Sequence, residues 1–244
     1  MNIKRTKGQP PSVRFTKTDF ARWRLFIKAF GQSVRMPTKP HKSELWSRFI
    51  GEFLVRGGTR GIDRLQKDSK KWKEFLRQTS LKSLSSTTSS RSQLRDALKQ
   101  TKVTRFWPQA ARAIEQCRRN KDIVRGQKFV LLDGFQSLDD EVQMRRALLR
   151  RCSKLGPKGA SNFLINVGLA RDLAAIDTRI IGFLEHHFHA PQEIKRARSS
   201  QPMYLALEAA LRDVARKNRI SLSKLDRTIF QAMGMSAADF LLRS

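Results

Sequence analysis

Apolar residues return every three or four positions along almost the whole chain, and that spacing commits it to amphipathic helices. Phe20, Trp23, Phe26, Ile27 and Phe30 repeat this way between Asp19 and Phe30, with Thr18 as the expected cap. Leu45, Trp46, Phe49, Ile50, Phe53 and Leu54 mark a second helix ending near Gly57 and Gly58, and a basic third helix is expected from about Gly61 to Leu76. Serine and threonine crowd residues 79–92, which reads as a loop or linker. Helices follow over Arg91–Leu98 and Arg105–Arg118, the second entered through Trp107-Pro108. Leu138-Asp139-Asp140-Glu141 starts a further helix, with acidic residues in its first turn, which carries Arg145, Arg146, Arg150 and Arg151 around its outer side. Ile180 to about His189, Met203–Lys217, Leu222–Met233 and Ala237–Leu242 complete the set, with Asn218 a stop. For Lys128–Leu132, strand and buried turn both stay open. The fold class is all-α with little strand.

Charge bounds the partners. Fifty Lys and Arg against 21 Asp and Glu leave 50 − 21 = +29, spread through the sequence and not gathered in a tail. A folded body with basic faces gains from binding a polyanion, because each phosphate contact releases counterions. The 39% hydrophobic content is enough for a real core. No apolar run reaches transmembrane length, and residues 1–15, with Lys4, Arg5 and Lys7, read as a flexible basic leader. Cys117 and Cys152 are too few for a four-thiolate iron–sulfur cluster or a classical zinc finger, and reduced thiols are expected. His186, His187 and His189 lack the matching carboxylate spacing of a metal site, so no metal is assigned.

Between two helical patterns lies Lys154-Leu155-Gly156-Pro157-Lys158-Gly159-Ala160-Ser161. Gly156 is expected to supply a turn conformation other residues resist and to clear side chains from a phosphate. Pro157 suits the first helical position, and the amides after it would face outward as an anion site. Lys154, Arg150 and Arg151 would add phosphate contacts. Residues 141–168 thus read as helix, tight turn, helix, although such a turn also serves as a plain connection between packed helices. Asp177 follows 19 positions after Lys158 (177 − 158), where it would cap the next helix.

The run Leu155-Gly156, Lys158, Ala160-Ser161, Phe163-Leu164, Asn166-Val167-Gly168, then Ala175-Ile176-Asp177 and Arg179, resembles the helix–hairpin–helix superfamily of DNA glycosylases, with its nearest likeness in the archaeal-type 8-oxoguanine DNA glycosylase/lyases. Arg105-Phe106-Trp107 with Ala110, Ala111 and Ile114 resembles an upstream helix of those enzymes, and the likeness covers roughly residues 100–185. The resemblance implies two helical subdomains, with the hairpin flanking a central cleft: one of about 16–80 plus the C-terminal helices, the other of about 91–190. It implies a bifunctional glycosylase and abasic-site lyase of base excision repair. Lys158 would form a Schiff base with the sugar, and β-elimination would nick the strand. Asp177 would stabilise positive charge on the sugar, and Arg179, Gly156, Gly159, Arg56 and Arg60 would serve the DNA backbone. Two departures from the family pattern stand out: Lys154 replaces the first glycine of the hairpin, and Arg56, Gly57, Gly58 and Arg60 stand where Asn or Gln usually probe the opened base stack.

Base flipping needs stacking surfaces, for which Trp46, Trp107, Phe135 and Phe240 are candidates, as are Trp72, Phe49 and Phe53, although helical spacing sends most such rings to the core. The expected partner is duplex DNA carrying a damaged or modified base, met by a monomer without redox cofactor in the cytoplasm, associated with the nucleoid. A structural monovalent cation at the hairpin stays open. Two alternatives stand beside this one: a glycosylase for another modified base, with a role in defence against foreign DNA, and a non-catalytic hairpin protein in which Lys158 only contacts phosphate.

Overall fold

A computed structural model describes residues 1–4, 10–55, 60–85, 90–135 and 140–233, with the side chains of 90 and 91 outside that description. Among these residues the chain is all-α with two short hairpins of strand, as the apolar spacing requires. No helix among them is long and apolar enough to cross a membrane. Two compact units emerge, one of residues 39–167 and one combining 1–38 with 168–244. The division therefore falls near 38 and 167, not near 80 and 190 as the sequence suggested.

In the first of these units α2 (Leu45–Leu54) packs on α7 (Trp107–Arg119) and α9 (Pro157–Asn166). Its core is aromatic: Phe49 meets Phe53 and Phe163 edge-on, at centroid separations of 5.4 Å each. The basic segment expected as one helix is two, α3 (Arg60–Lys67) and α4 (Ser69–Gln78). Asp68 breaks it because its carboxylate accepts the amide of Lys71 and caps α4. Within the Ser/Thr-rich stretch, α5 (Leu81–Ser85) buries Leu81 and Leu84, so that part is not loop. The helix α6 (Ser90–Thr101) follows. Beyond α7, β3 (Val124–Arg125) and β4 (Lys128–Phe129) pair antiparallel, Val124 opposite Phe129, which resolves the 128–132 segment as strand at its start. The eighth helix, α8 (Glu141–Arg151), is capped by Asp140 and packs on α9.

In the other unit, residues 2–4 and 12–14 pair as β1 and β2, Ile3 opposite Val13. The expected flexible leader is thus a hairpin at both of its ends, and residues 5–9 lie outside the described residues. Behind it stand α1 (Lys17–Phe30), α10 (Thr178–Phe188), α11 (Gln201–Lys217) and α12 (Leu222–Met233). The cap of α1 is Thr16, not Thr18: Thr16 and Asp19 bond each other's backbone amides, a reciprocal capping box. Trp23 stacks on Phe188 at 4.3 Å and sits among Phe15, Phe26 and Phe183. The helix end near Gly57-Gly58 and the helix expected over 237–242 lie outside the described residues.

Candidate active site at the hairpin

The helix–turn–helix expected at 141–168 forms, and its local physics differs in detail from the expectation. Gly156 caps α9 with φ −83° and ψ 171°, ordinary extended backbone that any residue adopts. A Cβ built there meets nothing within 4 Å, so neither conformation nor packing demands glycine. What glycine leaves is open space above the helix start. Pro157 takes the first turn, and no side chain caps α9. The amide of Ala160 bonds Gly156 oxygen, so the amides of Lys158 and Gly159 precede the first intrahelical bond and face outward, the arrangement that binds anions. Gly159 is tighter: a Cβ there would lie 2.8 Å from Leu155 Cδ1, the end of a flexible side chain that would have to shift.

Lys158 is half-buried in that first turn, and it has no hydrogen bond or ion pair among the described residues. Its helix is mounted from below by a residue that pattern reasoning missed. Glu52 of α2, 7% exposed, accepts Asn162 Nδ2 at 2.8 Å and 3.1 Å, and Asn166 Nδ2 at 3.4 Å. Two asparagines four apart share one helix face, so a single carboxylate fixes the rotation of α9 about its axis. Glu52 Oε2 lies 3.9 Å from the point where Gly159 would carry a Cβ, directly under the lysine's turn. Arg48 Nη1 donates to the Asn166 carbonyl at 3.1 Å and closes the far end of α9. A carboxylate inside the apolar run Phe49-Ile50-Gly51-Glu52-Phe53-Leu54, three residues from its start and two from its end, was the available signal.

Two arginines of α8 correct the sequence picture. Arg145, expected on the outer side, is 3% exposed and donates to Ser161 Oγ at 3.0 Å, bracing α8 to α9. Arg151, expected on phosphate, gives its Nη1 to the carbonyls of Leu131 and Asp133 and lies 5.1 Å above the ring of Phe135. It locks the preceding loop, and Phe135, 1% exposed, is the buried floor of that lock and not an open pocket wall. Arg150 and Lys154 are exposed beside the turn, where contact with phosphate is geometrically open to them. Arg60 is exposed at the start of α3, while Arg56 and Phe240 lie outside the described residues. Trp46 is 4% exposed, donates Nε1 to the Thr79 carbonyl at 2.8 Å and packs on Phe49 and Phe129, which makes it core. Trp107 is half-buried at the start of α7 with Arg95 6.0 Å from its ring.

Behind the hairpin Cys152 and Cys117 are free thiols, buried with Sγ atoms 3.1 Å apart. The hydrogen bond from Cys117, with help from the amides of Lys154 and Leu155, brings Cys152 down to about 7, while sharing that proton and burial push Cys117 far up.

Asp177 belongs to the other unit. Its Oδ1 accepts the amides of Arg179 at 2.8 Å and Ile180 at 3.2 Å, capping α10, and Oδ2 has no hydrogen bond among the described residues. The segment leading to it is strapped by buried groups: Glu208 accepts the Ala174 amide, Asp226 accepts the Ala175 amide, and Tyr204 donates to the Ala174 carbonyl at 2.6 Å. Arg179 is half-buried with its guanidinium 4.3 Å above Phe230, a ring that is 43% exposed.

Against known proteins, the family model described as "Ogg-HhH: 8-oxoguanine DNA glycosylase" matches residues 68–220. An 8-oxoguanine DNA glycosylase/AP lyase of Korarchaeum cryptofilum is 32% identical over 114 residues, 45% of this chain and 52% of that protein. One of Methanocaldococcus jannaschii is 34% identical over 126 residues, 52% of this chain and 56% of that protein. The chain therefore spans about half the length of the curated relatives it matches. The crystal structure of the M. jannaschii 8-oxoguanine DNA glycosylase superposes with a TM-score of 0.57 at 26% identity, covering 88% of this chain and 86% of that one. The same glycosylase/lyase in complex with a 15mer DNA containing 8-oxoguanine gives 0.59 at 24% identity over 90% and 91%, a likeness of fold.

Proposed function

The chain belongs to the Ogg-HhH family of 8-oxoguanine DNA glycosylases, and on that premise we propose that it is a bifunctional glycosylase and abasic-site lyase acting on 8-oxoguanine in duplex DNA. Lys158 is the nucleophile. Its Nζ, as the free amine, attacks C1′ of the everted nucleoside; the N-glycosidic bond breaks and the base leaves with a proton. The sugar then opens to a Schiff base with the lysine. Loss of a C2′ proton breaks the C3′–O bond, the 3′ phosphate departs, and water returns the lysine to its starting form.

Other side chains serve charge and position. The Lys158 and Gly159 amides, with Lys154 and Arg150 beside them, hold backbone phosphate at the hairpin. Asp177 keeps Oδ1 for the amides of α10 and offers Oδ2 to the positive charge that develops on the sugar. Arg179 holds a phosphate from the same turn. The enzyme works as a monomer on DNA and uses no redox cofactor.

One observation supports this reading above the rest: an unpaired lysine in the first turn of an uncapped helix, next to two open amides. Borohydride trapping on duplexes containing 8-oxoguanine tests it. A covalent adduct is expected with the native protein and none with Lys158→Gln, which still binds the duplex. An adduct that persists in Lys158→Gln, or native protein that neither traps nor releases the base, overturns it. Trapping on a duplex with a different modified base, and never on 8-oxoguanine, would keep the lysine chemistry and replace the substrate.

A further inference from the structure

A second concentration of positive charge lies away from the hairpin turn, in the same unit. The helices α3 and α4 and the end of α6 surround an open concavity of about 580 Å³. Arg64, Lys67, Lys71 and Lys102 line it, with Asp68 their one carboxylate, so the lining carries 4 − 1 = +3. Asp68 pairs with Lys71 at 3.0 Å and leaves three cations facing one space. Apart from Leu65 the lining side chains are charged or polar, so an anion entering the concavity meets cationic heads.

The site is also built with care for its backbone. Lys102 follows the last residue of α6 in the left-handed conformation, φ 48°, a position that ordinarily takes glycine or asparagine. Holding a lysine there strains the backbone. Nothing in the helix ending needs that side chain: the turn is already held by Arg64 Nη2, which donates to the carbonyls of Lys102 at 3.2 Å and Thr101 at 3.5 Å. Gly61 lets α3 press onto residues 102 and 103, since a Cβ there would fall 2.0 Å from the Val103 carbonyl oxygen. A left-handed lysine and two helical cations therefore line one open concavity.

We propose that this concavity is a second DNA-backbone site, gripping phosphates of the duplex apart from those held at the hairpin. The proposal rests on duplex DNA being the partner, as above. Each cation engaged there releases counterions and adds about 0.9 to the slope of log affinity against log salt. Contacts of this kind carry no sequence information, so they strengthen binding to damaged and undamaged DNA alike.

The test is the double variant Lys67→Gln/Lys102→Asn, because asparagine tolerates the left-handed position. Binding to an undamaged duplex is measured across a range of salt. The salt slope should fall by about 2, with uniformly weaker binding on every sequence. An unchanged slope overturns the proposal. Inorganic tripolyphosphate is titrated in parallel: if the variant loses only tripolyphosphate binding and keeps the native slope, the concavity is a small-anion site and the DNA assignment is wrong. Because the duplex carries no lesion, the outcome is independent of borohydride trapping. A lowered slope without any trapping would sustain this surface and sink the lyase, and the reverse result would do the opposite.

Discussion

Two glycines ten positions apart, both in helices of the unit 39–167, should respond to alanine with opposite signs. Gly51 lies inside α2, and a Cβ there meets nothing within 4 Å. Alanine gains helix propensity without contact, so Gly51→Ala should stabilise by about 0.5–1 kcal/mol. Gly61 also sits in a helix, but its Cβ would be 2.0 Å from the Val103 oxygen and 2.6 Å from the carbonyl carbon. Real Cβ contacts essentially never fall under 3.0 Å, so the 102–103 backbone must retreat by about 3.0 − 2.0 = 1.0 Å. That backbone is poorly placed to move, because Val103 is buried and Arg64 holds the Lys102 carbonyl. Overpacking of this kind costs about 1–3 kcal/mol, and a clash with backbone belongs at the upper end. After the propensity gain, Gly61→Ala should lose about 2 kcal/mol. Urea unfolding followed by tryptophan fluorescence reads both variants in one unit, which contains Trp46, Trp72 and Trp107. The midpoints should move in opposite directions at constant slope. A Gly61→Ala midpoint at or above that of the native protein would refute the close packing of α3 on the end of α6.

Three further outcomes follow from the site. Trp46→Phe removes one buried hydrogen bond, to the Thr79 carbonyl, and should cost about 1–2 kcal/mol while leaving borohydride trapping intact; loss of trapping at native stability would return that ring to the base pocket. Asp177→Asn keeps an N-cap, so thermal stability and DNA affinity should hold while turnover falls by about a hundredfold or more; a loss confined to affinity would contradict a role at the sugar. The thiol pair sets a pH dependence with a turning point. Cys152 sits at about 7 against the ordinary 9.0, so the folded pair sheds one proton before the unfolded thiols do, and stability should rise from pH 7 towards 9. Above 9 the unfolded chain has lost both protons while Cys117 retains its own, and stability should fall again. Cys152→Ser should flatten both limbs in urea titrations at stepped pH; a flat native profile would remove the shared proton.

Much of the fold was legible because apolar spacing is a local property. The helices over 45–54, 203–217 and 222–233 needed only their own residues, and the hairpin announced itself through Gly156-Pro157. What escaped was decided by a cap hidden inside a basic run or by partners distant in the chain. Asp68 looked like one more surface charge in a long basic helix, yet an aspartate that bonds the amide three residues on competes with helix and ends it. Arg151 was assigned to phosphate because arginines beside a hairpin usually do that; its partners, the carbonyls of Leu131 and Asp133, come from a loop whose course no pattern disclosed. Aromatic candidates suffered most. Composition says which rings are large enough to hold a base but not which are already enclosed, and Trp46 and Phe135 are enclosed.

The chemistry-bearing residues share a mode of support that a motif search passes over. Lys158 and Asp177 stand out by local context, but each is held by carboxylates far away in sequence. Glu52 reaches Asn162 across 110 residues and orients the helix that begins with the lysine. Glu208 and Asp226 reach the amides of Ala174 and Ala175, across 34 and 51 residues, and fix the strap that ends at Asp177. In a chain of net charge +29, with 21 acidic residues against 50 basic ones, a buried carboxylate is an expensive use of a scarce charge. Three of them spent on backbone and amide groups beside the two candidate catalytic residues indicate where rigidity matters. Those three carboxylates hold the backbone and amide groups that position Lys158 and Asp177, while Arg150 and Lys154 stay exposed beside the turn.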